Sequence, residues 1–460
     1  MSHRGEPLYK SRPVAPSPAR FGWHTRINDF ISMSEGFSNT YLIETSEGHV
    51  LINSGMGFEA PIHRSNYTEL VAGGDEASSQ NTQKEKPGSQ IAEESAIDGK
   101  IKFAVLTQGH TDHVGGIQYF RDRNPGLQLI AHANSEEHQT YDARLTGFRQ
   151  ARSAFRFTEI FKTAFQHFAE SGYTEINGQD RPTAEITFED RHAFTLGGVE
   201  IEVIGVMGAE TNDSLIVWLP QHRIVFTGNL FGCPFGHFPN LVTIRGDRYR
   251  DALVCAEAAQ TILDLEPEMI LYGHHAPVIG ADLIQREVKA YRDAIHHVHD
   301  EVVKGMNQGK DLATLQQEIK LPPECEVGEG YGMVKWSIRA IWENYAGWFK
   351  HESTTELYDI PQKAVHADLL ELAGASALVK RASEKAAAGK REEALHLLDI
   401  VLSAEPENEA AKSLSLEVHT ALLEEAKSFR TTGNFWLEGW LEQRIRLLSG
   451  GRDGSLREFL

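Results

Sequence analysis

Hydrophobic and polar positions alternate over residues 29–53 as two short strands around Ser46-Glu47-Gly48; the second, His49-Val50-Leu51-Ile52, runs into the turn Asn53-Ser54-Gly55. Residues 72–100 are polar, poor in aromatics and aperiodic, which predicts a long insertion or mobile loop. The apolar run 102–106 predicts a buried strand, followed by a helix, a strand at 127–131, and a long helical passage over 139–170 that carries Arg144, Arg149, Arg152 and Arg156. Strands are predicted again at 184–188, 192–196, 199–206, 214–219 and 223–227, then a helix over 249–265 and a strand at 269–272. Beyond about residue 282 helical spacing takes over, broken near Gly309, Pro322-Pro323, Pro361 and Pro406. This order predicts an α/β layered fold followed by an all-α part. Within the latter, 375–425 reads as two helical runs joined through residues 404–408, a tetratricopeptide-type pair. One such unit builds no solenoid, so it is expected to pack on a neighbour in the same or a second chain.

Composition narrows the function classes. The 460 residues predict two to four folding units, and 41% hydrophobic with 24% charged residues is ordinary globular usage. Lys plus Arg at 45 against Asp plus Glu at 65 gives −20, which opposes capture of nucleic acid or anionic lipid and means that an anionic substrate would need a local basic pocket. The three cysteines, Cys233, Cys255 and Cys325, form no C-x-x-C pair; this speaks against a disulfide framework or thiolate zinc site and fits a reducing compartment. Residues 1–21 are basic and proline-dotted without an apolar core, and no apolar run is long enough to span a bilayer, so a cytoplasmic protein with no membrane association is expected.

The chemistry-bearing stretch is Thr107-Gln108-Gly109-His110-Thr111-Asp112-His113-Val114-Gly115-Gly116, directly after a predicted buried strand. A strand end opening through a turn into a helix projects several side chains into one place, and His110, Asp112 and His113 are all competent metal ligands. The stretch resembles the metallo-β-lactamase superfamily signature T-H-x-H-x-D-H-x-G-G, with Gln108 at the first histidine. Further elements follow in order. Leu51-Ile52-Asn53-Ser54-Gly55 matches L-I-D-T-G with Asn53 for the aspartate, and Glu210 stands at the ligand position of the G-H-T turn. Phe226-Thr227-Gly228-Asn229 matches F-T-G-D with Asn229 for the bridging carboxylate, and Tyr272-Gly273-His274-His275 matches the terminal G-H element.

A glutamate at the G-H-T position is similar to the alkylsulfatase branch. So are Asn240-Leu241-Val242-Thr243-Ile244-Arg245-Gly246, which resembles N-L-x-T-L-R-G, and His274-His275-Ala276-Pro277, which resembles H-H-W-P. Residues 336–349 and 375–440, the latter ending in Asn434-Phe435-Trp436-Leu437, look like the alkylsulfatase dimerisation domain, while no counterpart of the sterol-carrier-like domain is expected. The resemblance implies an N-terminal extension over 1–24, a metallo-β-lactamase αββα sandwich over 25–285 with the insertion at 70–100, and a helical, dimerisation-like domain over 286–460. It implies a homodimer and a metal-dependent hydrolase of sulfate-type esters. Asn240 and Arg245 would hold the anionic group, as a guanidinium fork suits a tetrahedral oxyanion, and Arg149 could assist.

The resemblance also implies two metals, one drawing on Gln108, His110, Glu210 and Asn229, the other on Asp112, His113, Asn229 and His274. Neutral amides bind zinc poorly beside imidazole or carboxylate, so one well-occupied zinc site on Asp112, His113 and His274 is expected, with a weak or empty first site. Pro239 stands where the sulfatase pattern has a histidine that protonates the leaving group, and His237 is the nearby replacement. Two other readings keep the pocket: a single-metal lyase or hydrolase of a carboxylate or carbonyl substrate, and a non-catalytic binding protein with a degraded site. His296, His297 and His299 read as a solvated helix face, the aromatic residues of 336–349 as core or interface, and Cys233 as packing.

Overall fold

The computed structural model describes residues 5–72, 94–170, 176–429 and 432–451. Strands β1 (His24–Asn28), β2 (Ile31–Ser34), β3 (Thr40–Thr45) and β4 (Gly48–Ile52) form an antiparallel meander. Helix α1 (Ala60–Ala72) leads toward β5 (Ile101–Val105), which pairs parallel to β4. After α2 (Thr111–Val114) and α3 (Ile117–Arg123) comes β6 (Gln128–His132); α4 (Ser135–Arg144) and α5 (Thr146–Glu170) precede β7 (Ile186–Phe188), and both strands are added in parallel. The second sheet contains β8 (Arg191–Leu196), β9 (Val199–Gly205), β10 (Leu215–Leu219), β11 (Ile224–Gly228), then across α6 (Ala252–Leu265) β12 (Met269–Tyr272) and β13 (Val278–Ile279). The first sheet runs β1 through β7 in sequence order, and the second is ordered β13-β12-β11-β10-β9-β8, with β11 and β12 parallel.

Alternation along the strands decides the layering, because successive side chains point to opposite faces. Val50 and Ile52 face inward and share one core with Leu215, Val217 and Phe226 of the other sheet. Leu51, between them, packs outward with Ala60, Ile117 and Phe120 of the helices on that side. On the second sheet Ile216, Val225 and Ile270 face outward onto α6, α7 (Ala281–Asn307) and α9 (Val334–Ala346), α8 (Leu312–Glu318) lying between the last two in sequence. The result is helix, sheet, sheet, helix. Each fully buried Val, Leu or Ile contributes about 1.5–3 kcal/mol, so a charge at Val50, with 0% exposure, would break the layer between the sheets.

The helices α10 (His366–Ala373), α11 (Ala375–Ala387), α12 (Arg391–Ala404) and α13 (Glu409–Ser428) surround a small core of their own, with Leu398, Val401, Ala382 and Ala411 buried. Helix α14 (Phe435–Leu448) returns to α5, where Trp440 meets Phe155 and Phe435 meets Phe157.

Several expectations are corrected. Residues 375–425 hold parts of three helices, because Gly389 at φ +76° breaks the first run. The passage over 139–170 is two helices, α4 and α5. Of the insertion expected over 70–100, residues 73–93 lie outside the described residues, while Asp98 forms an ion pair with Arg64 and Ile97 is buried, so its end is docked. His299 is buried rather than solvated and bonds Asp300 and Tyr345. All three cysteines are buried thiols. Among the described residues, no helix is long and apolar enough to cross a membrane.

Candidate metal centre

The centre lies at the carboxyl ends of β4, β5, β11 and β12, where open α/β sheets place their ligand sites. Asn53, in the left-handed conformation at φ +59°, accepts hydrogen bonds from the Thr107 amide (2.9 Å) and hydroxyl (3.1 Å), tying the end of β4 to the turn after β5. The Ser54 amide donates to the His113 carbonyl (2.8 Å), and the Gly116 amide donates to the Ser54 hydroxyl (3.1 Å). A side chain at Gly116 would collide with the Ser54 carbonyl, which explains a glycine there. From the other sheet, the Gly273 amide donates to the Gly228 carbonyl (2.9 Å), and Asn39 clamps the same turn with its amide on the Gly273 carbonyl (2.7 Å) and Nδ2 on the His275 carbonyl (2.7 Å). These bonds aim His274 across the gap at Asp112 and His113.

One ligand atom each of Asp112, His113 and His274 lies within 4.8 Å of the others. Asp112 Oδ2 is 3.7 Å from His113 Nε2 and 4.0 Å from His274 Nε2. Burial holds both imidazoles neutral, pushing each down to about 3. His113 Nδ1 is 3.0 Å from the Ser38 hydroxyl, and its Nε2 is buried without a hydrogen-bond partner. With the proton on Nδ1, the Nε2 lone pair faces the cluster. A carboxylate and two neutral rings at this spacing, that of His113 held by Ser38, fit one divalent ion with an open position.

The other candidate ligands are placed differently. His110 Nδ1 is 2.6 Å from the Gln108 amide nitrogen, and the Arg245 guanidinium reaches His110 Nε2 at 3.0 Å. Glu210 is paired with Arg250 at 2.7 Å, and Arg250 also donates to the Glu210 and Asn240 carbonyls, each at 2.7 Å. Asn229 offers its backbone amide to Gln108 Oε1 at 3.4 Å, while its own Oδ1 is buried without a partner.

A cavity of about 180 Å³ opens on Asp112, His274, Asn229 and Glu210. Asn240, Thr243 and Arg245 line its polar side, with Asn240 Oδ1 and Thr243 Oγ1 buried and unpartnered. Phe37, Met56, Phe157, Phe161, Tyr331 and Trp436 make its apolar wall. Arg149 is not among the residues of this cavity: it pairs with Asp142 (2.5 Å) and Asp247 (3.3 Å) and lines an adjoining one of about 350 Å³ that shares Asp112 and Arg245. His237 lines neither cavity. Its Nδ1 accepts from the Gly330 amide (2.8 Å), its ring packs edge-on to Tyr9, and it is 1% exposed, so the structure does not bring it to Asp112.

The sequence profile of the metallo-beta-lactamase superfamily matches residues 33–274, more than half of the chain. The chain belongs to the metallo-β-lactamase superfamily. Residues 312–445 match the profile described as alkyl sulfatase dimerisation. A linear primary-alkylsulfatase of Pseudomonas sp. is 26% identical over 290 residues, 60% of this chain and 54% of that protein. An alkyl/aryl-sulfatase of Saccharomyces cerevisiae is 24% identical over 361 residues, 75% of this chain and 55% of that protein. The chain thus spans about half the length of the curated relatives it matches. The solved structure of a stereoselective inverting sec-alkylsulfatase from Pseudomonas sp. shares the fold, with a TM-score of 0.73 at 20% identity over 93% of this chain and 66% of that one.

Within this metallo-β-lactamase fold, sequence reasoning missed Arg250, Asn39 and Ser38. Arg250 stands five residues after Arg245 in Arg245-Gly246-Asp247-Arg248-Tyr249-Arg250, and its basic density was the available signal. Trp436 lies in the helical part as expected, within the stretch that matches the dimerisation profile, and α14 also brings it to the cavity wall beside α5.

Proposed function

We propose that the chain is a zinc-dependent hydrolase of alkyl sulfate-type esters, with the metal on Asp112, His113 and His274. The observation that carries this reading is one cavity combining that triad with Asn240, Arg245 and an apolar wall. A divalent ion on the triad would supply positive charge and lower the pKa of water at its open position to about 7. Arg245, with Asn240 and Thr243 beside it, binds the anionic head: a guanidinium fork matches a tetrahedral oxyanion, and the unpartnered Asn240 and Thr243 side chains are free to reorient toward it. Phe157, Phe161 and Trp436 exclude water from the organic part and orient it. Arg245 and Arg250 each stand beside a carboxylate, Asp247 and Glu210, so the local attraction that the overall −20 opposes falls to the metal, with Arg245 adding directed donors. Kinship with alkylsulfatases supports this substrate class over a carboxylate or carbonyl.

The working unit in this reading is a homodimer. Trp348, Tyr358, Ile360 and Leu372 are exposed large hydrophobics within the stretch that matches the dimerisation profile, which supports a covering second copy. The test is release of inorganic sulfate from a primary or secondary alkyl sulfate by zinc-loaded protein. Release that is lost in Asp112→Ala supports the proposal. Equal release by parent and variant, or none from any alkyl sulfate, sinks it.

A further inference from the structure

We infer that the Arg245 guanidinium takes the place of a second cation beside His110, so that the half of the centre formed by Gln108, His110, Glu210 and Asn229 works with a side-chain cation and binds no metal. This rests on the reading of Asp112, His113 and His274 as the metal-binding half.

Arg245 Nη2 is 3.0 Å from His110 Nε2, and the imidazole is 6% exposed. A guanidinium donates only, so Nε2 is the acceptor, and a nitrogen lone pair that accepts this bond is not free to bind an ion. The neutral ring then carries its proton on Nδ1, 2.6 Å from the Gln108 amide. Side-chain amides are assigned by their hydrogen bonds, and here the bond to the ring is made when the Gln108 oxygen turns to Nδ1, in exchange for its longer 3.4 Å bond from the Asn229 backbone amide. Glutamine supplies that acceptor, whereas a neutral histidine there would compete as a metal ligand.

Glu210 is paired with Arg250, and Asp247 stands 3.6 Å from Arg245. With Arg149, which bridges Asp247 and Asp142, three carboxylates and three guanidiniums balance around a neutral imidazole. A dication added to this half would be uncompensated, since Asn229 brings an amide where a bridging carboxylate would have offset it. The fit found for the triad is therefore absent here: each of the other half's two strong ligands already has a guanidinium partner.

The consequence is a mixed centre, a metal on one side and a guanidinium on the other, both bordering the cavity. Crystals of the protein prepared with zinc chloride and measured at the zinc edge test it. The expected result is one anomalous peak on Asp112, His113 and His274, with the Arg245 guanidinium on His110. A second peak on His110 and Glu210, with Arg245 displaced, overturns the inference. No peak on the triad, with the guanidinium still on His110, defeats the metal-binding reading and with it the mixed centre, an outcome distinct from the second peak that overturns the role of Arg245 alone. Zinc per chain in two variants adds a second readout. Gln108→His/Asn229→Asp is expected to keep one equivalent, and the same protein with Arg245→Met to gain another; two equivalents in the first, or one in both, overturns the role given to Arg245.

Discussion

The Ser38 hydroxyl lies 3.0 Å from His113 Nδ1, and both side chains are buried. The bond holds the ring's angle, and with the Ser38 hydroxyl donated to the Asn39 carbonyl (3.4 Å) its oxygen accepts from Nδ1–H, so the nitrogen facing Asp112 is the one with the free lone pair. Ser38→Ala is expected to weaken zinc binding by about 10- to 100-fold, the usual effect of removing such a partner. Competition with a chromophoric chelator measures it, and unchanged affinity would show that Ser38 does not orient the ligand.

Arg250 and Glu210 form a pair with side chains 6% and 10% exposed. Removing one partner of a buried pair leaves an uncompensated charge, at a cost of about 3–5 kcal/mol. Arg250→Met is therefore expected to lower the urea midpoint strongly. Adding Glu210→Gln should restore much of it, because the orphaned charge is gone. A single variant as stable as the parent would contradict the pairing.

The cluster of Asp112, His113 and His274 was legible in the sequence because Asp112 and His113 follow a strand within one short motif and His274 ends a second recognisable turn. The pairings of the neighbouring half were not. Glu210 reads as a ligand type, and nothing local shows that Arg250, forty residues along the chain, reaches it. Helix α1 escaped for a different reason: it buries His63, Arg64 and Asn66 along with Ile62 and Tyr67, so no apolar stripe marks it. Those polar side chains reach distant partners, His63 Nδ1 and Asn66 on Ser34 at 2.8 Å each, and Arg64 on Asp98, while His63 Nε2 is buried without a hydrogen-bond partner. The apolar wall depends on α14 folding back onto α5, a contact between distant segments that periodicity does not encode.

Glu59 is fully buried and accepts hydrogen bonds from the amides of Ala19, Phe37 and Met56, stitching three segments behind the centre. Burial pushes its carboxyl up to about 7 despite those donors. The folded state then binds a proton that the unfolded state has released, so this group's contribution falls as pH rises from about 4.5 through 7 and is constant above. The stability of Glu59→Gln relative to the parent is expected to rise over that window, by an amount on the order of 3 kcal/mol. A difference that stays flat from pH 4.5 to 8 would contradict ionisation of this buried group.

Phe161 lines the apolar wall and packs against Phe37 with ring centroids 5.3 Å apart. Loss of that surface removes about 1–2 kcal/mol of binding to a long alkyl chain and little to a short one. Phe161→Ala is expected to lower kcat/KM for dodecyl sulfate about tenfold while leaving a short-chain sulfate ester nearly unchanged. Equal losses for both would mean that the wall does not hold the organic group.

The central claim is that Asp112, His113 and His274 hold a metal. Elemental analysis of protein purified without chelator, with Asp112→Ala prepared in parallel, tests it most directly. The account predicts about one equivalent of zinc per chain that disappears in the variant. No bound metal in the parent, or the same amount in both proteins, would contradict it.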